Sequence, residues 1–443
     1  MKRNTLMFNT ALLTGSSLIM SLISMSFQVW LAGRIGKSGI GLYQLVLSVS
    51  MLCTCFAVSG IRFATTRLIA EELGSHREST VKSAMRRCFA YSAFFGLAAF
   101  AILFFVAEPV GFLWIGDARC VKSLRIMAYA MPFIAFSSVI SGYFIACGRV
   151  WKPTLVHLAE QLISIALVAF FLSRTPSGDI EKNCAAVMLG TVCGDIISFI
   201  LMLGFYLSDR SCYVNSKGGA HLTSRMLRVA LPLAFSAYAR SSLSTLEHML
   251  VPRGLKASGM SADRALSGYG IIQGMVMPIL SFPACLLMAL SELIIPELTE
   301  AQMRGDDNEI RHTVHKLIKK GLGYSLAAAL LIFTFADMLG TEIYHSGEVG
   351  TFLRILAPLI PIMYTDMLID GCLKGLGQQM WNMGINILDA LLGVILVWTL
   401  LPKAALTAYI GIIYFNECLN FGLSAVRLRF ILRPRERGTA ERR

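Results

Sequence analysis

Residues 88–113 read CFAYSAFFGLAAFAILFFVAEPVGFL, and Glu108 is the single charged side chain in this stretch. An α-helix rises about 1.5 Å per residue, so a segment of this length can cross the roughly 30 Å hydrocarbon core of a bilayer. Lipid offers no hydrogen-bond partners, so the backbone of such a segment must pair with itself, as a helix does. The stretch therefore predicts a transmembrane helix.

Similar apolar stretches recur along the whole chain. Its 443 residues are 55% hydrophobic and 15% charged, and the mean hydropathy is +0.64. A water-soluble fold of this composition would expose large apolar patches. The apolar runs are also too long to be the short alternating strands of a membrane barrel. We therefore expect an all-α polytopic membrane protein whose first span is an uncleaved helix.

The hydropathy pattern indicates twelve spans. They cover residues 6–32, 39–63, 88–113, 122–147, 152–173, 184–207, 225–250, 266–296, 318–340, 350–372, 379–401 and 404–427. An even number of spans places both termini on one side of the membrane. The connecting segments on that side are richer in Lys and Arg than the opposite loops, which predicts cytoplasmic termini in a cytoplasmic membrane. Topology then explains most of the net charge of +13.

The two halves of the chain resemble each other. Leu124–Ala128 reads LRIMA and Leu353–Ala357 reads LRILA, 229 positions later, and a proline and two glycines follow each segment at the same separation. Spans 1–6 and 7–12 are thus parallel repeats, an arrangement typical of transporters whose halves rock around a central site. We expect a six-helix lobe over 1–215, a second over 216–430 and a basic cytoplasmic tail over 431–443.

Polar residues inside the spans are candidates for a cargo site. A charge at the centre of a membrane helix costs about 2.5–3.5 kcal/mol on insertion scales, so such residues face a protein interior or a wet cavity. Arginine suits an anionic headgroup because its guanidinium binds phosphate oxygens in a bidentate fork. Glutamate could balance that charge or couple transport to an ion. The candidate cavity residues are Arg34, Arg62, Arg240, Glu247 and Gln28.

A second set of polar residues recurs in both halves at helical spacing. His157 and Glu160 correspond to Asn386 and Asp389 at the separation of 229 positions. These residues serve either ion coupling or hydrogen bonding between helices, and the sequence leaves both roles open. The full set is His157, Glu160, Asn386, Asp389, Asp195, Glu417, Asp366 and Asp370.

No catalytic pattern stands out. The sequence has no P-loop, no GxSxG, no HExxH and no Rossmann glycine motif. The eleven cysteines are scattered without a CxxC pair, so they indicate neither a disulfide framework nor a metal site. We expect no enzyme activity, no cofactor, no metal and no nucleic-acid partner. Transport would then draw on an ion gradient, the membrane potential or the gradient of the cargo.

Three stretches resemble the stage V sporulation protein B family. They are residues 59–64, SGIRFA, residues 268–278, GYGIIQGMVMP, and residues 291–298, SELIIPEL. That family belongs to the superfamily of multidrug and toxin extruders (MATE), oligosaccharide-lipid flippases and lipid II flippases. The resemblance implies a MATE-like, V-shaped pair of lobes and alternating access. It also implies an undecaprenyl-linked sugar or peptidoglycan precursor as cargo, moved from the inner to the outer leaflet in cell-wall, polysaccharide or spore-envelope synthesis.

One feature departs from the family pattern. Many flippases of this superfamily have fourteen spans, and the missing final pair would remove the groove thought to guide the lipid tail. The leading hypothesis is a secondary flippase for a lipid-linked anionic substrate, acting as a monomeric unit in the bilayer, with Na⁺ or H⁺ as candidate coupling ions. A cation-coupled multidrug extruder of MATE type is the alternative. A non-transporting scaffold for envelope assembly is the second.

Overall fold

The computed structural model describes residues 3–74, 80–176, 178–210 and 222–433. Within these ranges the chain is helical and contains no strand. The first half comprises α1 (Arg3–Val58), α2 (Ile61–Gly74), α3 (Val81–Pro109), α4 (Val121–Ala128), α5 (Met131–Ala146), α6 (Trp151–Ser173) and α7 (Ile180–Arg210). A π-helical turn at Val110–Ile115 extends α3, and a 3-10 turn at Ala118–Cys120 leads into α4.

The second half begins with a helix that follows the undescribed residues 211–221. It comprises α8 (Leu222–Ala257), α9 (Ala262–Tyr269), α10 (Met277–Ser281), α11 (Ala284–Arg304), α12 (Asp307–Met338), α13 (Gly347–Leu356), α14 (Ile360–Gly375) and α15 (Gln379–Ile431). A π-helical segment, Gly270–Val276, joins α9 to α10, and a π-turn, Leu339–Ile343, extends α12.

Helices of membrane-spanning length and composition recur through the described residues. Seven helices are long and apolar enough to cross a membrane, and two bent pairs raise that number to nine. Two of the seven, Leu18–Gly74 and Gln379–Ile431, contain a break and supply two passes each. The predicted seventh span falls on α8, which is long but carries more polar residues and is not among these candidates. The predicted class, an all-α polytopic membrane protein of about twelve spans, is confirmed.

Left-handed backbone positions separate passes that would otherwise be continuous. Gly36 interrupts α1 with φ 71°, and Ala405 interrupts α15 with φ 49°. A positive φ ends the helical hydrogen-bond ladder, and it costs glycine little because glycine has no Cβ. Gly60, with φ 69°, ends the bend between α1 and α2, where a Cβ would lie 2.6 Å from the carbonyl oxygen of Ala230 on α8. The missing side chain therefore lets α8 pack against this bend.

The structure confirms the internal repeat at a separation of 229 positions. The pair of helices α4 and α5, with a break between them, recurs as α13 and α14. Helix α14, Ile360–Gly375, begins and ends 229 residues after α5, Met131–Ala146. An ion pair recurs with them. Arg125 Nη2 lies 2.7 Å from Glu108 Oε1, and Arg354 Nη2 lies 2.5 Å from Asp337 Oδ2. Because helix bounds and a side-chain ion pair both recur at this separation, the two halves of the chain are structural repeats of each other.

The described residues fall into two compact units. The described residues within Met1–Met275 and Val397–Leu406 form unit 1, and those within Val276–Leu396 and Thr407–Arg443 form unit 2. The core of unit 1 includes fully buried Tyr143 and Phe144, and that of unit 2 includes Leu298 and Leu373. The predicted lobes, 1–215 and 216–430, follow the repeat instead. Their boundary lies outside the described residues, as do residues 434–443 of the predicted tail, so this division stays a prediction.

Candidate functional site

Polar residues of α6 and α7 form a cluster in unit 1. Ser198 donates from Oγ to Glu160 Oε2 over 2.6 Å. His157 Nδ1 lies 3.4 Å from the same oxygen, and the Asp195 carboxyl lies against that of Glu160. The sequence spacing put His157 and Glu160 on one face of α6, and the structure brings Asp195 and Ser198 to that face from α7.

Glu160 and Asp195 place two carboxyl groups side by side. Asp195 Oδ2 is buried and has no hydrogen-bond partner among the described residues. Two ionised carboxylates repel each other at this range. Both are also acceptors, so a hydrogen bond between them requires a proton on one. The pair is therefore chemically suited to hold and release a proton or a small cation.

A cavity of about 260 Å³ lies beside this carboxyl pair in unit 1. Arg62 of α2 lines it, together with serine hydroxyls from α5 and α7. Within the described chain, Arg62 forms no ion pair, although it shares this cavity with Glu160 and Asp195. The wall thus combines a guanidinium that has no bound counter-ion with several hydroxyl donors. Such a wall offers donors to an anionic oxygen-rich group, and the neighbouring carboxyl pair opposes that group unless a proton or cation neutralises it.

The other cavity candidates do not line this pocket. Arg34, near the end of the first half of α1, and Arg240, within α8, are both exposed and form no ion pair in the part of the chain that is described. Arg240 lies within electrostatic range of Cys55 on α1. Gln28 and Glu247 are half-buried. The structure therefore joins Arg62 to the polar cluster and leaves the other four outside its lining.

Unit 2 contains the counterpart cluster, on α14 and α15. Asp366 lies within electrostatic range of Asp370, Asp389 and Glu417. Asp366, Asp370 and Asp389 each bury one carboxyl oxygen that has no partner among the described residues. Across those residues, no ion pair connects any of the four acids to a basic side chain. Four carboxyl groups of unit 2 therefore lie within electrostatic range of Asp366 or belong to it.

The two clusters differ, among other positions, at the one that His157 occupies in unit 1. Asn386 occupies the place that His157 has in unit 1, but its Nδ2 donates to Asn382 O and Oδ1, each over 2.9 Å. His157 instead lies beside the glutamate one turn away. An amide cannot change its charge in the physiological range, whereas an imidazole can. The unit 1 cluster therefore contains an imidazole at the position where the unit 2 cluster has an amide.

Two contacts of unit 1 escaped the sequence analysis. At the α1–α2 bend, buried Ser59 Oγ lies 2.8 Å from Tyr91 Oη and accepts from Tyr238 Oη over 2.6 Å. At the far end of α2, Arg225 Nη1 of α8 lies 2.7 Å from Glu72 Oε1. Both contacts join residues far apart in sequence. The acidic pair at 71–72, beside a basic connector, was the one sequence feature that could have indicated an ion pair there.

The family comparison agrees with this architecture. A family model described as “Polysaccharide biosynthesis protein” matches residues 6–302, more than half of the chain. The chain belongs to the polysaccharide biosynthesis protein family. A second model, described as MatE, matches residues 255–399. This member of the polysaccharide biosynthesis family is a multi-pass membrane transporter with a MATE-like fold, and the predicted resemblance is confirmed.

Two relatives of the chain are named as sporulation proteins. Over 434 residues the transporter is 22% identical to stage V sporulation protein B of Bacillus subtilis (strain 168), covering 97% of this chain and 83% of the relative. Over 351 residues it is 24% identical to sporulation protein YkvU of the same organism, covering 78% and 77%. These relatives support the predicted link to sporulation and polysaccharide synthesis. The expected lack of enzyme activity stays a prediction.

Solved structures show the same fold. A structure described as the inward-facing conformation of a multidrug resistance MATE family transporter of the MOP superfamily superimposes with a TM-score of 0.71 at 15% identity, covering 93% of this chain and 95% of that one. A MOP superfamily transporter from Pyrococcus furiosus, whose title reports a reverse polarity of its binding pocket, gives 0.66 at 14% identity, covering 96% and 95%. At this identity the likeness concerns the fold alone.

Proposed function

We propose that this protein is a secondary flippase that moves an anionic lipid-linked oligosaccharide or peptidoglycan precursor across the cytoplasmic membrane. The observation that carries the proposal is the set of arginines in unit 1. Arg34, Arg62 and Arg240 lie within predicted membrane spans or at their ends, and none forms an ion pair within the described residues. An uncompensated charge in such a helix is costly unless water or a bound anion meets it.

The chemistry of guanidinium favours a phosphate as that anion. Arginine stays charged throughout the physiological range and presents a planar fork of N–H donors. A diphosphate-linked sugar offers charged oxygens to that fork and hydroxyls to the serines beside Arg62. The family membership supports the same cargo class, because the matching model is one of polysaccharide biosynthesis.

Ion coupling completes the proposal. The carboxyl pair Glu160–Asp195 in unit 1 and the four acids of unit 2 are the candidate sites for Na⁺ or H⁺. Binding a cation removes the repulsion between adjacent carboxylates, so occupancy would favour one arrangement of the helices over another. Alternating access driven by this difference would carry the headgroup across. We further propose cytoplasmic termini and a monomeric transport unit.

A second candidate is a cation-coupled multidrug extruder. The acids Asp366, Asp370, Asp389 and Glu417 favour it, because a negative cluster inside unit 2 suits a cationic drug as well as a coupling ion. Several solved structures with this fold are described as multidrug resistance transporters or as MATE. A scaffold without transport activity would have no use for either cluster.

A reconstitution experiment separates these functions. Purified protein in proteoliposomes receives either fluorescent lipid II or a cationic dye, under a Na⁺ or H⁺ gradient. We expect lipid II to move and the Arg62→Ala and Arg240→Ala variants to lose at least about tenfold in rate, as loss of one charged contact of about 1.5–3 kcal/mol would give. Arg264→Ala serves as matched control, because Arg264 is an exposed arginine of unit 1 outside the cluster.

Each outcome assigns one function. Dye movement without lipid movement would establish the extruder and refute the flippase. Absence of both, in protein that remains folded, would favour the scaffold. Lipid movement that Arg62→Ala and Arg240→Ala leave unchanged would remove these arginines from the cargo site.

A further inference from the structure

A cavity of about 580 Å³ lies in unit 2, and none of the four acids of the unit 2 cluster lines it. It is bounded by the first half of α12, by α14 and by the end of α15. Its volume falls within the range of about 300–1,000 Å³ typical of small-molecule pockets. We call it the α12–α15 groove.

The floor of the α12–α15 groove is apolar. Val314, Ile369 and Leu428 are each at most 3% exposed and belong to the core of unit 2. Phe421 of α15 and Leu432, the residue directly after α15, pack against that core and remain half-buried. An apolar channel of this kind on a membrane helix bundle accommodates a hydrocarbon chain.

The rim of the groove is basic. Lys319 on α12 and Arg429 and Arg433 at the end of α15 are exposed and line the same cavity. Within the described ranges none of the three forms an ion pair, and no acidic residue lines the groove. His315 also lines the groove, and its Nδ1 lies 2.9 Å from the carbonyl oxygen of Arg311. The exposed part of the lining therefore carries positive charge that no ion pair compensates within the described residues.

Lysines and arginines near the ends of membrane helices also set the orientation of the chain in the membrane. The lysines of α12 allow this role to be distinguished from lining the groove. Lys316 and Lys320 are exposed on the same helix but do not line the groove. Topology alone would account for all of these lysines equally. It does not account for cations of two different helices converging on one apolar channel.

We propose that the α12–α15 groove binds an anionic bilayer glycerophospholipid, with its phosphate at Lys319, Arg429 and Arg433 and one acyl chain along the apolar floor. Basic pockets beside membrane helices attract anionic headgroups in this way. The bilayer supplies the ligand, and the groove offers both the charge and the apolar surface that a single lipid needs. Residues 434–443 are a poor competitor, since they read PRERGTAERR, with net positive charge and no large apolar side chain.

This lipid would be a bound component of the protein and not its cargo. None of the rim residues belongs to the carboxyl clusters or to the arginine set in unit 1. The proposal therefore stands or fails independently of the flippase function.

Native mass spectrometry of the full-length protein tests the proposal. Protein released from zwitterionic phosphatidylcholine is titrated with phosphatidylglycerol, and bound lipid is counted. We expect one retained phosphatidylglycerol in preference to phosphatidylcholine. The double variant Lys319→Ala/Arg429→Ala should bind it about 25-fold more weakly, from about fivefold per basic residue near an anionic headgroup. The matched double variant Lys316→Ala/Lys320→Ala removes the same charge and should stay within about twofold of wild type.

Several results would overturn the proposal. These are equal retention of phosphatidylcholine and phosphatidylglycerol, an equal loss in the matched control, and displacement of the lipid by soluble glycerol 3-phosphate. The last would show a simple anion site. A dimer that dissociates only in the Lys319→Ala/Arg429→Ala variant would assign the groove to a second copy of the chain. Folding is a minor concern, because both substituted side chains are exposed.

Discussion

The ion-pair network between α2 and α8 allows a quantitative test of burial in this fold. Arg225 contacts two adjacent acids of α2: its Nη1 lies 2.7 Å from Glu72 Oε1, and its Nη2 contacts Glu71. The two acids differ in environment, because the Glu72 side chain is 3% exposed and that of Glu71 is 39% exposed. The coupling energy of Arg225 with Glu72 should therefore exceed its coupling energy with Glu71.

The expected magnitudes follow from burial. Removing one partner of a fully buried pair costs about 3–5 kcal/mol. Arg225 is itself 38% exposed, and Glu72 Oε2 still accepts from Thr80 Oγ1 over 2.5 Å. We therefore expect a coupling energy of about 2 kcal/mol between Arg225 and Glu72. Exposed pairs contribute about 0.2–1 kcal/mol, and Glu71 also pairs with Arg67 at 2.9 Å, so the coupling of Arg225 to Glu71 should stay below about 0.5 kcal/mol.

Double-mutant cycles measure both couplings. One cycle combines Arg225→Ala with Glu72→Ala, and the other combines it with Glu71→Ala. The free energy of unfolding is followed by circular dichroism during titration of mixed micelles with a denaturing detergent. The Glu71 cycle is the matched control because it removes the same charge from the next residue. A coupling to Glu71 as large as that to Glu72 would refute the argument that burial sets the strength of this contact.

Two further tests concern close packing and charge. Gly142→Ala and Gly371→Ala, equivalent in the repeat, should each destabilise the fold by about 1–3 kcal/mol. The added Cβ would lie 2.5 Å from a backbone carbonyl oxygen of α2 in the first case and 2.0 Å from a serine hydroxyl of α11 in the second. Gly384→Ala, with open space around its Cβ, should instead be neutral or stabilising in the same detergent titration; three equal effects would contradict the packing argument. Outside the spans, burial tends to raise the pKa of Asp117, but the hydrogen bonds and charge of Arg119 outweigh it and hold this pKa below its ordinary value of 3.8. Because the folded pKa is depressed, the stabilisation is present above about pH 4 and is lost as the pH falls through the folded pKa; Asp117→Asn should flatten the acid limb of a melting-temperature profile, and an unchanged limb would exclude this contribution.

The repeat was the feature best predicted from sequence. The LRIMA and LRILA segments set a separation of 229 positions, and the helices Met131–Ala146 and Ile360–Gly375 obey it at both ends. Helix length and composition are local properties, so two similar segments in the same solvent fold alike. The spacing of His157 and Glu160 was predictable for the same reason, since residues three apart lie on one face of a helix.

Contacts between helices were not predictable in this way. The sequence grouped Arg34, Arg62 and Arg240 as one cavity surface, but the structure places Arg62 alone beside the carboxyl pair. Arg225 and Glu72 are 153 positions apart, and no periodicity relates them. Which faces of α2 and α8 meet depends on the bend at Ser59–Gly60, because a left-handed turn of two residues redirects the whole of α2.

Sequence alone determined that this protein is a helical membrane protein made of two similar six-helix halves. That result rests on hydropathy and repetition, which need no knowledge of how helices pack. Tertiary structure decided which polar residues act together: the Glu160–Asp195 pair, the four acids of unit 2 and the basic rim of the α12–α15 groove. Those groupings depend on close approach between helices distant in sequence, and the energy of a charge in a membrane depends on what lies within a few ångströms of it.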